Sequence, residues 1–218
     1  MPQLFRPAAD TVVRAVLIAI LVLPFSAMGG LYAIMRSEYI TGESVTIEQP
    51  IPFSHAHHVA GLGLDCRYCH ASVEKAAFAG MPPTHTCMTC HSQLFTYAKM
   101  LKPVRQSLAK HKPIKWNRVY RLPDYVYFDH SVHVKNGIGC STCHGPVQRM
   151  PLVRQAVPMT MNWCLSCHRD PKPYLRPQNQ IFNMEWRPPK DQAEKAKKLL
   201  VQYHIDTKNL TDCDRCHR

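Results

Sequence analysis

One pentapeptide, Cys-x-x-Cys-His, occurs five times in this sequence and constrains everything else about it. The copies take up all ten cysteines, as the pairs Cys66/Cys69, Cys87/Cys90, Cys140/Cys143, Cys164/Cys167 and Cys213/Cys216. A histidine closes each copy: His70, His91, His144, His168 and His217. This is the signature of covalent c-type haem attachment. The two thiols add to the porphyrin vinyl groups, and the residues between them span that edge of the macrocycle. The following histidine then lies beneath the iron as its proximal ligand. Structural zinc also favours C-x-x-C pairs. It would explain neither a histidine after every pair nor an odd number of pairs, and a disulfide framework fails in the same way. The residues imply five haem c groups.

A duplication organises four of the five motifs. Phe53-Ser54-His55-Ala56-His57-His58-Val59 recurs 75 residues later as Phe128-Asp129-His130-Ser131-Val132-His133-Val134. In each copy two C-x-x-C-H motifs follow, so each half is a two-haem module and the fifth motif is a C-terminal addition. A repeat of this kind implies stacked units. Spacing of three on a helical turn puts both histidines of an H-x-x-H pair on one face. His55, His58, His130 and His133 are therefore the candidate distal ligands, each pair reaching two neighbouring irons. His57 breaks the repeat and is read as a bystander, and His85, His111 and His204 have no repeat partner. Four distal histidines leave one iron short. Methionine is the usual alternative and raises the reduction potential. Met150 and Met161 are the weaker distal candidates, followed by Met81. Met161 is too close to Cys164 to serve its own haem and is expected to serve another.

Eighteen prolines, nine glycines and five attachment loops leave little room for long helices or sheets. The expected fold class is a multihaem cytochrome c, mostly irregular, with short α-helices wrapped around five covalently bound haems. The formal charge of +12 suggests nucleic acid or an acidic membrane surface at first. About ten haem propionates, set against about one positive charge per ferric core, remove most of that excess. Lysines and arginines are thus expected to pair with propionates, and nothing else points to nucleic acid.

From Ala15 to Met35 there are 21 uncharged residues between Arg14 and Arg36. As a helix this stretch spans about 31 Å, enough to cross a bilayer core. Arg6 and Arg14 precede it, which places the N-terminus in the cytoplasm and the haem-bearing part on the periplasmic side. Small residues after Phe25 offer a signal-peptide cut site. The apolar run continues past them, so an uncleaved single-pass signal anchor is expected. Pro24 should kink the helix. The expected organisation is an anchor over 1–36, a linker over 37–52, a first two-haem module with connecting helices over 53–127, a second over 128–170, and a C-terminal wrap with the fifth haem over 171–218. Within these, Ser92–Lys110 reads as helical, restarted at Pro103, with Leu94, Tyr97, Met100, Leu101, Val104 and Leu108 buried. The aromatic stretch from Trp116 to Tyr127 should pack on porphyrins. Pro171–Pro189 reads as a surface loop, and Asp191–Tyr203 as a short helix.

The stretches Phe53–His70, Met81–His91, Leu122–Gly145 (LPDYVYFDHSVHVKNGIGCSTCHG), Pro158–Asp170 (PMTMNWCLSCHRD) and the terminal CDRCHR resemble the pentahaem cytochrome c subunit of bacterial alternative complex III. That resemblance, most specific over 122–170, implies a complex that oxidises membrane quinol in a partner integral-membrane subunit. Electrons would then pass to a periplasmic cytochrome c or a terminal oxidase, and this chain would serve as part of the wire. A related quinone-reducing complex runs electrons the other way and carries a sixth haem in its equivalent subunit. A catalytic multihaem reductase is a different class of reading. It needs an open distal position and proton donors near the iron. The histidines and methionines here suffice to close all five irons, so no catalytic residue is expected. A small tetrahaem-type quinol dehydrogenase would need a quinol site near the anchor, where residues 36–52 offer only the glutamates Glu38, Glu43 and Glu48.

Overall fold

The computed structural model describes residues 7–217, so Arg6, counted above for orientation, lies outside the described residues. The chain divides after Gly42 into two units. In the first, helix α1 (Pro7–Met35) runs through Pro24 without a break in its assignment. Its apolar stretch covers Ala8–Met35 with a mean hydropathy of 2.2, and none of it is buried within the protein. Leu, Ile and Val lie around the whole circumference, which fits a single-pass membrane anchor or a signal peptide. The helix starts earlier than Ala15, because the Asp10–Arg14 ion pair, one turn apart at 2.9 Å, completes its first turns. A short turn, α2 (Glu38–Thr41), follows within residues expected to be linker. It ends at Gly42, whose φ of +69° lets its N–H return to the Glu38 carbonyl at 2.8 Å.

The second unit contains no strand among the described residues, only isolated bridges such as Val126 with His217 and Ile138 with Leu175. Its helices are short: α3 (Cys66–Cys69), α4 (Thr84–His91), α5 (Lys102–Ala109), α6 (His130–Lys135), α7 (Cys140–His144), α8 (Met161–Arg169) and α9 (Gln192–Gln202). A π-helical turn covers Ala56–Gly61. Side-chain caps start three of these helices. Asp65 accepts from Arg67 N–H, Asp129 from Ser131 and Val132 N–H, and Thr160 from Trp163 N–H. Residues 43–52, also expected to be linker, lie against this unit. Glu43 and Thr46 bridge to Gln155 and Arg154, and Ile51 is buried.

Protein atoms alone make a small core. Val73, Val134 and Ile181 cluster, with Ala79 and Phe182 packed on them. The loop over 171–189 is not a surface wrap: Leu175 and Ile181 are its fully buried members, and Arg176 is 3% exposed. Helix α9 forms as expected, burying Ala196 and Leu199.

The stretch 92–110 differs from expectation. The chain leaves the helix after His91, with Phe95 at φ +54°, and becomes helical again only from Lys99. Pro103 does sit at the start of α5. Of the expected buried face only Val104 is buried; Leu94, Tyr97, Met100 and Leu108 are exposed, Tyr97 to 95%.

Candidate haem-binding sites

Each H-x-x-H pair lies on one helical turn, and the two turns are built alike. Ser54 Oγ accepts from His57 N–H in the first copy, where Asp129 accepts from Ser131 N–H in the second. The Phe opening each copy packs against both of its histidines. Phe53 meets His55 edge-on at 5.0 Å and stacks on His58 at 4.4 Å; Phe128 does the same to His130 at 4.8 Å and His133 at 4.5 Å. The first turn departs in being π-helical, with Leu62 N–H reaching back to His57 O. Such turns are rare and gather at functional sites.

Ring hydrogen bonds fix which nitrogen is free in seven of these histidines. Nδ1 of His58 donates to Ser54 O and Nδ1 of His133 to Asp129 O, both at 2.8 Å. His130 donates to Ala77 O at 2.7 Å. Among the motif histidines, His70 donates to Gly80 O (2.7 Å), His91 to Leu94 O (3.2 Å), His168 to Leu210 O (2.8 Å) and His217 to Tyr125 O (3.2 Å). A carbonyl can only accept, so Nδ1 carries the proton and Nε2 keeps its lone pair. That is the tautomer a metal-ligating imidazole needs, with the second hydrogen bond that orients it and raises its basicity. His55 differs: its Nδ1 is buried without a hydrogen-bond partner.

Three pairs of rings stand at nearly one separation. His58 and His91 are 6.2 Å apart between centroids, His130 and His144 6.3 Å, and His133 and His168 6.1 Å. These distances exceed the Phe53 and Phe128 contacts, while His91 and Phe95 also stand 6.2 Å apart. A metal–imidazole bond is about 2 Å, so two imidazoles sharing one metal axially have centroids about 6.3 Å apart. His55 has His70 as its neighbour: after burial, the strongest influence on it is the charge of His70. Burial, with these neighbours, lowers the pKa of His55 to about 4, and burial, His130, His70 and His55 do the same to His144. Both rings are thus held neutral.

The donor set fits haem better than zinc. All ten thiols are free, and no three His, Cys, Asp or Glu side chains converge on one point among the described residues. Each motif instead supplies two thiols and one imidazole within five residues.

The thiols are not equally enclosed. Cys90 is exposed, as is Cys213, whereas the other eight cysteines are half-buried. Its exposure follows from its place in the last turn of α4, beyond which the chain departs through the left-handed Phe95. The Thr89 hydroxyl, 3.9 Å from Cys90 Sγ, is its polar neighbour. Cys87, one turn earlier in α4, is more enclosed, and burial pushes its thiol pKa up. The second motif therefore holds one sheltered thiol and one at the surface. Cys213 is exposed because the fifth motif forms only a 3-10 turn, Cys213–Arg215, near the C-terminus.

The methionine candidates separate. Met150 is buried, its carbonyl accepting from Ala56 N–H, and it packs beside the Gly145 turn where His130 and His144 already face each other. Met161 opens α8, 63% exposed, and Met81 is exposed too. His57 shows no ring hydrogen bond like those above.

Several contributors were not legible beforehand. Tyr120 packs edge-on against His144 at 4.6 Å, its hydroxyl accepting from Ala156 N–H. Only its place in the aromatic stretch hinted at this. Arg176 reaches the third motif, donating to Ser141 Oγ and Thr142 Oγ1 at 3.2 Å, with its guanidinium over Trp186 at 4.3 Å. The carbonyls of Ala77, Gly80 and Leu210 leave no trace in the sequence.

Comparison with known proteins agrees with this chemistry. Residues 126–218, which hold the last three motifs, match the family described as cytochrome c7 and related cytochrome c. The chain is 29% identical over 171 residues to the menaquinone reductase multiheme cytochrome c subunit of Nitratidesulfovibrio vulgaris. That alignment covers 78% of this chain and 68% of the relative. The likeness is to multihaem c-type cytochromes, in which haem is bound covalently.

Proposed function

We propose that this chain is a membrane-anchored, five-haem electron-transfer subunit of a quinone-linked respiratory complex. The observation that carries it is the set of near-equal ring separations, 6.1 to 6.3 Å, linking distal-candidate histidines to motif histidines. On this reading His70 with His55, His91 with His58, His144 with His130, and His168 with His133 hold the first four haems. Met161 is assigned to the fifth, opposite His217. Its support is that Cys164, one turn along α8, lies within electrostatic reach of Cys216. Haem bound there supplies a one-electron carrier. The chain's own residues would hold the haems with neutral imidazoles at fixed angles, leave small molecules no access to the iron, and anchor the unit at the membrane through α1. No residue is assigned to substrate chemistry.

Two directions of flow fit. The resemblance over 122–170 favours the quinol-oxidising alternative complex III, with a periplasmic cytochrome c or a terminal oxidase as acceptor. The likeness to a menaquinone reductase subunit favours a quinone-reducing complex. Purification from native membrane, identification of the co-purifying subunits, and reduction of the assembled complex with a quinol analogue test the proposal. Rapid haem reduction in the complex and none in the isolated chain is the expected result. Turnover of nitrite or hydroxylamine by the isolated chain would overturn it.

A further inference from the structure

We infer that the five attachment motifs form an unbranched row in the order second, first, third, fourth, fifth, so that electrons enter and leave at the second and fifth haems. The inference rests on the ligand pairs proposed above and adds their spatial order. Sequence order alone would put the first motif at one end.

Contacts between motifs carry it. The first and second motifs touch directly: the Tyr68 and Thr89 hydroxyls, both inside their C-x-x-C loops, lie 2.8 Å apart. Phe53 spans their distal histidines, His55 and His58. The first and third motifs share one loop. Gly80 O holds the His70 ring of the first, and Ala77 O, three residues earlier, holds the His130 ring that faces the third. They also share the segment at 181–182, where Ile181 O accepts from Cys140 N–H and Phe182 lies under the Arg67 guanidinium at 4.4 Å. The Cys66 and Cys140 thiols lie within electrostatic reach of each other. Phe128 spans His130 and His133, joining the third site to the fourth. Leu210 O, three residues before Cys213, holds His168 and so joins the fourth to the segment leading into the fifth motif. That motif then docks on residues 125–127, through Tyr127 N–H to Cys216 O and His217 Nδ1 to Tyr125 O.

The duplication explains the order. Each module brings one motif to the junction between modules, the first and the third, and turns its other motif outward. The fifth motif extends the row on the second module's outer side. The two exposed thiols, Cys90 and Cys213, belong to the second and fifth motifs, the two ends of the row. Each transfer oxidises one ferrous site and reduces its ferric neighbour, with no bond made or broken. A quinone-linked redox partner at one end and a one-electron carrier at the other close the balance.

The test uses the oxidised full-length holoprotein and electron paramagnetic resonance during a redox titration. His55→Met and His58→Met each mark one haem with a raised potential, so that haem is reduced first and becomes diamagnetic. Its neighbours alone then lose spin coupling and their signals sharpen. The row requires one sharpened neighbour for His58→Met and two for His55→Met, with the haem marked by each variant among the neighbours of the other. Sequence order requires the reverse, two and one, and that result would overturn the row. Should methionine fail to bind iron, His55→Ala and His58→Ala with carbon monoxide lock the same haems in the diamagnetic ferrous state, and the same counts apply. If neither series alters a single haem, the ligand pairing itself is wrong and the row falls with it.

Discussion

Arg176 offers the sharpest quantitative test of how the C-terminal segment holds the third site. Its guanidinium donates to two hydroxyls of the third motif at 3.2 Å and to the Asn183 and Gln180 carbonyls at 3.3 and 3.5 Å. It also lies flat against the backbone before Cys140: a Cβ on Gly139 would come within 2.2 Å of its Cζ. Bonds from a charged donor contribute about 1.5–3 kcal/mol when short, and these long ones about 0.5–1 kcal/mol each. Stacking on Trp186 adds about 1 kcal/mol. Burial works against the charge and lowers the pKa of Arg176, so part of the gain is offset. Removing the side chain recovers that cost but leaves four acceptors without their donor and opens a cavity beside α7. The second effect wins, because leaving buried acceptors unsatisfied costs about 1–3 kcal/mol and the cavity adds to that. Arg176→Ala is expected to destabilise the holoprotein by about 3 kcal/mol, lowering Tm by about 6–12 °C. Arg176→Met, which refills the space, should lose about 2 kcal/mol. Thermal unfolding followed by far-ultraviolet circular dichroism and by the Soret band measures both. A Tm for Arg176→Ala within about 1 °C of the parent would refute the reasoning.

Other expectations follow from the same geometry. His55→Ala, His58→Ala, His130→Ala and His133→Ala should each turn one haem high-spin while all five stay attached, and His57→Ala should not; visible spectra and carbon monoxide titration read this out. Residues 15–35 should remain on the mature protein, which intact-mass measurement of membrane-purified material checks. Glu185 is held below the ordinary carboxylate range by the Gln148 amide and then by Arg149. Its folded pKa is depressed, so the stability it contributes is present above its unfolded pKa, about 4.3, and lost as pH falls further. Glu185→Gln should therefore lower Tm at neutral pH, and that deficit should shrink as pH falls through the depressed folded pKa of Glu185, as a melting series across pH would show.

What the sequence made legible was whatever chemistry ties to a fixed spacing. Two thioethers and a proximal histidine demand C-x-x-C-H, and two irons served from one turn demand H-x-x-H. The spacing says nothing of enclosure, so the exposure of Cys90 beside the more sheltered Cys87 had no sequence signal. The duplicated phenylalanine was visible too, though its packing on both histidines was not. Leu175, Arg176 and Ile181 were misread because prolines and polar residues normally mark a surface loop. Their burial comes from contacts with residues 134–142, far away in sequence, which no local pattern encodes. The same limit explains Ser92–Lys110. Its apolar spacing suits a helix, but His91 turns its ring to Leu94 O and Phe95 takes a left-handed backbone, ending the helix at the attachment motif. The carbonyls that hold the imidazoles belong to Ser54, Ala77, Gly80, Leu94, Tyr125, Asp129 and Leu210, and any residue could supply them.

Electron paramagnetic resonance of the fully oxidised protein, quantified against covalently bound haem, tests the central claim most directly. The account requires five haems per chain, all low-spin. The His130–His144 site, with rings only 11° apart, should give an ordinary rhombic signal, and the His58–His91 site, at 63°, a more anisotropic one. A high-spin ferric signal equal to one or more haems per chain in intact material, with rapid carbon monoxide binding on reduction, would contradict it.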